Sequence, residues 1–273
     1  MTQGFENIDP GQFWKHFLDT GFLDRWLESP NASGQGVKVA ILDVGINESQ
    51  LSVKRKAGGN ILQMQFLPGG TLKNPSNHTP FSSHGTIVAD TLLRIAPQVE
   101  ILSADIFGNA FHSTAEQLIH AMRYAIHEGN CKIINLSLGL PEDRISHPSR
   151  KLQLLHVLEE AYEKDVLVFA AGNNDHPFQT SYPAKYESSL FSVNKKSIPE
   201  LMKYRYQPAE GLEFIGHGVA PLAPMGTDPA TSWATAYLSG YAARIVSLYP
   251  GIKPFEMKSI LYWISREYEG RKK

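Results

Sequence analysis

Short apolar runs alternate with segments of helical character along this chain, and the alternation limits the fold more than any other feature. The runs are rich in Val, Ile, Leu and Ala, which is typical of strands buried on both faces of a parallel sheet. We therefore predict an α/β fold, a three-layer sandwich with a mostly parallel central sheet flanked by helices. The predicted strands are 37–42, 60–66, 99–105, 132–136, 166–170 and 190–193, and the predicted helices are 84–93, 114–128, 149–164 and 232–248.

The chain has 273 residues, which is long enough to bury a sizeable core. Residues 10–28 place Phe, Trp and Leu side chains at roughly helical spacing before a Ser/Pro/Asn/Gly-rich break, so we predict an N-terminal helical extension over residues 1–33. Residues 34–273 show no internal repeat and no linker, and we predict one domain. Along helix 149–164 the predicted buried face contains Leu152, Leu155, His156, Leu158 and Ala161.

Composition restricts the partners. The net charge is −1 and there is no long Lys/Arg run, so we predict no nucleic-acid and no membrane partner. No run of about 18 apolar residues is present. The first ten residues lack the features of a signal peptide, and the single cysteine, Cys131, begins an apolar run and is predicted to be a buried thiol. These features together predict a reducing, cytoplasmic compartment.

Four polar residues stand where strands end or helices begin. Asp43 and Asn173 follow predicted strands, whereas His84 and Ser232 open predicted helices. In an open parallel sheet these positions share one edge, so we expect the four side chains to meet there. A serine becomes a nucleophile when a histidine takes its proton and a buried carboxylate holds that histidine. An asparagine N–H and a helix N-terminus stabilise an oxyanion, so the set predicts acyl-transfer chemistry.

Each of these residues also has an ordinary structural explanation. Serine commonly caps a helix, and an aspartate just before glycine commonly marks a turn. Asp105 is a rival carboxylate because it also ends a predicted strand. The remaining histidines show no zinc-site spacing, and no metal is predicted. Calcium is left open, although residues 47–50 and 74–78 form no clear cage of oxygen ligands.

The four residues lie in motifs that resemble those of the subtilisin-like serine proteases, in the same order along the chain. The motifs are VAILDVGI at 39–46, SHGTIVA at 83–89, AAGNN at 170–174 and ATSWATA at 230–236. The resemblance covers roughly residues 34–250, and it implies that the domain 34–273 is a serine endopeptidase. In that role Ser232 attacks the peptide carbonyl and His84 carries the proton. Asp43 orients His84, and Asn173 donates to the oxyanion.

The resemblance also implies a peptide-binding cleft. Residues 134–139 are similar to the strand that pairs with a bound peptide, and residues 181–186 are similar to the floor of the pocket for the residue before the cut. Residues 109–113 correspond to the strand on the other side of the peptide. Because the pocket floor is small and uncharged, we expect an apolar or aromatic residue before the cut. The implied substrate-binding residues are Ser137, Leu138, Gly139, Ala171, Gly172, Ser181, Phe111 and His112.

The serine motif departs from the family pattern at Ala230, Trp233 and Ala236, where the family has glycine, methionine and proline. Because Trp233 is bulky, we expect it to narrow the leaving-group side of the cleft. The sequence predicts a dedicated intracellular processing protease without a cofactor, acting on a protein or precursor peptide, and leaves a regulatory partner open. Two alternatives stay open as well. One is a peptide ligase or macrocyclase that uses the same acyl-enzyme, and the other is a catalytically inert peptide-binding pseudoprotease.

Overall fold

A mostly parallel sheet of nine strands forms the centre of the described structure. The computed structural model describes residues 29–52, 60–73, 80, 82–108, 110, 112–174, 180–198, 203–208, 212–220 and 229–270. In chain order the strands are β1 (Lys38–Asp43), β2 (Ile61–Phe66), β3 (Leu72–Lys73), β4 (Glu100–Asp105), β5 (Ile133–Leu136), β6 (Leu140–Pro141), β7 (Leu167–Ala171), β8 (Ser181–Tyr182), β9 (Phe191–Lys196), β10 (Arg205–Tyr206) and β11 (Phe214–His217).

The order of strands in the main sheet is β10-β11-β9-β7-β5-β1-β4-β2-β3. Only the edge strands β10 and β3 pair antiparallel in this sheet, and β6 pairs with β8 in a separate two-stranded ribbon. The predicted longer strands are confirmed. The edge strands and the ribbon are two residues each, too short to show a periodic pattern in the sequence.

Helices cover both faces of the sheet, which confirms the three-layer architecture. The described α-helices are α1 (His84–Ile95), α2 (Ala115–His127), α3 (Pro148–Glu163), α4 (Thr231–Leu248) and α5 (Pro254–Gly270). Apolar residues of α1, α4 and α5 form one core cluster with the sheet, whereas those of α2 and α3 form a second cluster on the other face. Strand β1 shows why the sequence runs are uniformly apolar. Val39 and Ile41 face the first cluster, while Ala40 and Leu42 face the second.

The buried face of α3 was predicted wrongly in part. Leu154, Val157, Leu158 and Ala161 are its buried residues, whereas the side chain of Leu152 is 52% exposed. The error arose because the leucines of this helix fit two adjacent faces, and contact with α2 and β7 selects one of them.

Helix α5 was not predicted, although its buried residues have clear helical spacing. They are Met257, Ile260, Leu261 and Ile264. The predicted N-terminal extension lies almost entirely outside the described residues and stays a prediction. None of the helices in the described ranges is both long and apolar enough to cross a bilayer.

Candidate active site

The side chains of Asp43 and His84 are hydrogen-bonded to each other at the carboxyl edge of the sheet. Asp43 is the last residue of β1 and is 2% exposed, and His84 is the first residue of α1. The imidazole Nδ1 lies 2.9 Å from both carboxylate oxygens. The backbone N–H of Val44 also donates to Asp43 Oδ1, at 2.8 Å. The carboxylate is therefore held by its own strand end and directs the Nδ1–H tautomer of His84, which leaves Nε2 to exchange a proton.

The electrostatics of this pair favour a basic imidazole. Burial by itself lowers the pKa of His84, because it disfavours the charged ring. The charge of Asp43 and its hydrogen bond act in the opposite direction and prevail, so the pKa of His84 lies above its ordinary value. Asp43 thus stabilises the imidazolium that forms when His84 accepts a proton.

Gly85 permits the close approach of α1 to the end of β1. A Cβ atom at this position would lie 2.3 Å from the carbonyl oxygen of Gly45 and 3.2 Å from Asp43 Oδ1. Any larger residue would have to push the first turn of α1 away from Asp43. The glycine after His84 is therefore required for the Asp43–His84 contact.

Ser232 lies in the first turn of α4, as predicted, but it is not the N-cap. The cap position is Ala230, which supplies no side-chain hydrogen bond. Instead, Oδ1 of Asn174 accepts the backbone N–H of Thr231 at 2.8 Å, and Thr231 Oγ1 donates to the carbonyl oxygen of Gly172 at 2.8 Å. The backbone N–H of Ser232 belongs to the first turn of α4, where N–H groups have no acceptor within the helix itself. It is therefore available to an oxyanion at the positive end of the helix.

In this structure the hydroxyl of Ser232 donates to the carbonyl oxygen of Ser137 at 3.0 Å, and not to His84. The imidazole is nonetheless close to the same helical turn, because its ring centroid lies 5.1 Å from that of Trp233, with the planes inclined by 39°. Transfer of the Ser232 proton to His84 therefore requires the hydroxyl to rotate away from Ser137.

Trp233 packs inside the protein rather than standing in the cleft. Its side chain is 3% exposed and belongs to the core cluster shared by α1 and α4. The expectation that it narrows the leaving-group side is therefore not met. The bulk of the indole is accommodated in the interior, where it supports one side of the His84 ring.

Three of the predicted substrate-binding residues lie together beside this site. A Cβ on Gly139 would lie 2.2 Å from Ser181 Oγ and 3.8 Å from the carbonyl oxygen of Ala171. The ribbon of β6 and β8 holds Ser181 in this position, since Ser181 pairs with Pro141. Leu138 is half-buried, and Gly172 is buried at the end of β7. His112 is exposed ahead of α2, and Phe111 lies outside the described residues.

Asn173 is half-buried and immediately follows Gly172. Its neighbour Asn174 was not singled out from the sequence, yet its side chain accepts the backbone N–H of Thr231, the first residue of α4. Lys195 Nζ also donates to Asn174 Oδ1, at 3.1 Å. The partner of Asn174 is 57 positions away at Thr231, so no local pattern indicates the contact.

Asp105, the rival carboxylate, has a loop-stabilising role. It accepts the backbone N–H groups of Phe107 and Gly108 at 2.9 and 2.8 Å, and Gln65 Nε2 donates to it at 2.9 Å. These bonds order the segment that leads from β4 towards residues 109–113. Asp105 is therefore occupied in holding its own loop.

Among the residues that the structure describes, no group of three or more His, Cys, Asp or Glu side chains is placed to hold a metal ion. Residues Glu48–Gln50 form a short 3₁₀ helix, and the side chain of Asn47, which precedes it, accepts the backbone N–H of Ser49.

The thiol of Cys131 is buried, and burial raises its pKa to about 12. Such a thiol is almost entirely protonated near neutral pH.

Comparison with known proteins supports the sequence resemblance. The model of Peptidase S8, the subtilase family, matches residues 34–202, a span that contains Asp43, His84 and Asn173 and ends before Ser232. Subtilisin amylosacchariticus from Bacillus subtilis subsp. amylosacchariticus is 28% identical over 242 residues, which cover 82% of this chain. The match spans 59% of the length of that relative.

Solved structures share the fold. The S41 psychrophilic protease superimposes with a TM-score of 0.66 at 22% identity, covering 85% of this chain and 83% of its own. The prenylagaramide maturation protease PagA superimposes with a TM-score of 0.58 at 23% identity, covering 85% and 81% of the two chains.

Proposed function

Because the chain belongs to the subtilase family, we propose that it is a serine endopeptidase in which Ser232 is the nucleophile and His84 carries the proton. The observation that carries the proposal is the partly buried hydrogen bond between His84 Nδ1 and Asp43, at 2.9 Å from each oxygen. A carboxylate in that position holds the imidazole in the tautomer whose Nε2 accepts a proton. Trp233 connects the ring to the turn that holds Ser232.

The proposed reaction begins when the hydroxyl of Ser232 leaves Ser137 and turns towards His84. Oγ attacks the peptide carbonyl carbon while its proton passes to Nε2 of His84, and the carbonyl oxygen becomes an oxyanion. The backbone N–H of Ser232 and the side-chain N–H of Asn173 donate to that oxyanion. Asp43 stabilises the imidazolium through its charge and hydrogen bond.

Collapse of the tetrahedral intermediate breaks the C–N bond, and His84 returns its proton to the leaving amine. The product of this step is an acyl-enzyme on Ser232. Water then attacks the ester carbonyl, with His84 as the base, and the carboxylic acid product and the free hydroxyl are released. Asp43, His84 and Asn173 repeat their roles in this second half, whereas Ser232 is now the leaving group, and its oxygen takes back a proton from His84 as the ester C–O bond breaks.

We propose a protein or precursor peptide as the substrate. The family supports peptide-bond chemistry, and a structural neighbour that shares the fold is named a maturation protease. Gly139, Ser181 and Ala171, which lie together in the structure, are small and uncharged, so we keep the expectation of an apolar or aromatic residue before the cut. A ligase would use the same acyl-enzyme and stays the alternative, although the buried indole of Trp233 gives it no added support.

The experiment is digestion of a peptide library in water enriched in ¹⁸O, followed by mass spectrometry of the products. A hydrolase incorporates the heavy oxygen at the new carboxyl group, whereas a ligase or cyclase yields products without added water. The Ser232→Ala variant is the control and is expected to yield no cleavage. If the folded wild-type chain leaves the library intact or only ligates it, the proposal is wrong.

A further inference from the structure

A line of polar side chains runs through the interior from the middle of α4 to Ser232. Asn135 and Ser239 are fully buried, and Ser137 is 3% exposed. Asn135 lies in β5, between Ile41 of β1 and Phe169 of β7, in the centre of the sheet. Apart from Ser137, none of these residues between the sheet and α4 was expected from the sequence to act at Ser232.

The periodicities of strand and helix bring these residues face to face. Asn135 and Ser137 are two positions apart, so they point to the same side of the sheet. Ser232 and Ser239 are seven positions apart, which is close to two helical turns, so they lie on the same face of α4. Each polar residue of one element therefore meets a polar residue of the other.

Three hydrogen bonds run in one direction along the line, from Ser239 to Ser232, and a fourth returns from Ser232 to Ser137. Ser239 Oγ donates to Asn135 Oδ1 at 3.0 Å, and Asn135 Nδ2 donates to Ser137 Oγ at 2.8 Å. Ser137 Oγ in turn donates to the carbonyl oxygen of Ser232 at 3.0 Å. The hydroxyl of Ser232 donates back to the carbonyl oxygen of Ser137 at 3.0 Å. Ser137 is therefore bonded twice to Ser232, and its own hydroxyl is oriented by Asn135.

Packing alone does not account for this line. An apolar pair at positions 135 and 239 would fill the interior without desolvating an amide and a hydroxyl, whereas a buried polar group costs free energy unless its partners are in place. The polar residues instead fix the orientation of the hydroxyl groups. The Asn135 amide has one oxygen, which accepts, and one NH₂ group, which donates, so it determines which way the neighbouring hydroxyls point.

We propose that Asn135 and Ser239 are positioning residues for the nucleophile, acting through Ser137. The hydrogen bonds between Ser137 and Ser232 fix the backbone of Ser232 and the orientation of its hydroxyl before reaction. The hydroxyl therefore starts each turnover from one defined rotamer. This inference rests on the proposed function, since it assigns a task in the reaction of Ser232. Neither residue touches the substrate or the reacting atoms.

The test compares Ser239→Ala with Ser265→Ala in the full chain. Ser265 is the matched control because it is also a buried helical serine in a hydrogen bond, which it accepts from the N–H of Tyr206 at 2.9 Å, and it lies in α5 away from the line. The readouts are the rate of labelling by a fluorophosphonate probe, kcat and KM on a cleaved peptide, and the melting temperature.

We expect Ser239→Ala to lower kcat and the labelling rate about 3- to 10-fold with KM unchanged, the range that loss of one hydrogen bond corresponds to. Ser239→Ala and Ser265→Ala should lower the melting temperature by similar amounts, but Ser265→Ala should leave kcat and the labelling rate unchanged. Ser239→Thr keeps the hydroxyl and should restore the wild-type rate. In a Ser137→Ala background, Ser239→Ala should change the rate less than about twofold, because the line is already broken.

Equal rates for Ser239→Ala and the wild type overturn the inference, as does an effect that Ser265→Ala reproduces. Full additivity of Ser239→Ala with Ser137→Ala also overturns it. In these cases the wild type still labels, so the proposed function stands. A folded wild type that takes no label at all instead shows that the proposed function is wrong, and the inference fails with it.

Discussion

The imidazole of His84 and the carboxylate of Asp43 are in contact at 2.9 Å although the two residues are 41 positions apart. The contact exists because β1 ends at Asp43 and α1 begins at His84 on the same edge of the sheet. It gives His84 a defined tautomer and a raised pKa. The following predictions start from this pair and from the groups packed around it.

The Asp43→Asn variant should lose activity and shift its pH profile. In the wild type the pKa of His84 lies above its ordinary value, so kcat/KM should fall as the pH drops through that raised pKa and the base becomes protonated. Asparagine removes the charge while burial remains, so the pKa should fall and the acidic limb should move to lower pH. The loss of kcat should be about 10⁴-fold, as for the corresponding change in a chymotrypsin-like protease.

Titration of His84 by NMR checks the same shift without relying on activity. An unchanged pKa of His84 in Asp43→Asn would show that the carboxylate does not control the imidazole.

The Gly85→Ala variant should be both less active and less stable. Its Cβ would lie 2.3 Å from the carbonyl oxygen of Gly45, so the first turn of α1 must shift and carry His84 away from Asp43. We expect a loss of about 1–3 kcal/mol in the free energy of unfolding, as for overpacking elsewhere. Urea denaturation and kcat/KM measure the two effects. Gly251→Ala is the control, since its nearest neighbour is Tyr249 Cε2 at 3.6 Å. If Gly85→Ala and Gly251→Ala have the same free energy of unfolding and the same kcat/KM, the prediction is wrong.

The Asn173→Ala variant should lower kcat by about 10² to 10³, the range observed when one side-chain oxyanion donor is removed. KM should change little, because the donor acts mainly on charge that develops in the transition state. The control is Asn60→Ala, an exposed asparagine just before β2, at the opposite end of the parallel strands. A loss of less than about tenfold in kcat would remove Asn173 from the proposed oxyanion site.

The Trp233→Ala variant should destabilise the fold by about 3–5 kcal/mol, as expected when a buried aromatic side chain is truncated. The indole is 3% exposed and contacts the His84 ring, so the cavity would open beside the base. Trp263 offers a matched control, because it is 55% exposed on α5, and Trp263→Ala should change stability by about 0.5 kcal/mol or less. Chemical denaturation measures both. A Trp233→Ala variant as stable as Trp263→Ala would show that the indole is not a core residue.

The fold class was predictable because strands buried on both faces leave uniformly apolar runs, such as 37–42 and 166–170, in the sequence. The positions of Asp43 and His84 followed from the rule that strand ends and helix starts share an edge. In the sheet, the carboxyl ends of the parallel strands β1 and β4 lie side by side, with Asp43 opposite Asp105.

Other features depend on contacts between distant positions and leave no local pattern. Ser239 meets Asn135 across 104 positions, and nothing in the sequence near either residue indicates this pairing. The apolar spacing of α5 was visible in the sequence but was not used. The resting hydrogen bond from Ser232 to Ser137 could not be inferred at all, since motifs specify residue types and not the rotamer of a hydroxyl.

Labelling with a fluorophosphonate probe, followed by peptide mapping with mass spectrometry, tests most directly whether Ser232 is an activated nucleophile. We predict one label per folded wild-type chain, located on Ser232, and no label on the Ser232→Ala variant with an unchanged melting temperature. A folded wild-type chain that stays unlabelled, or that carries its label on another residue, would contradict the account.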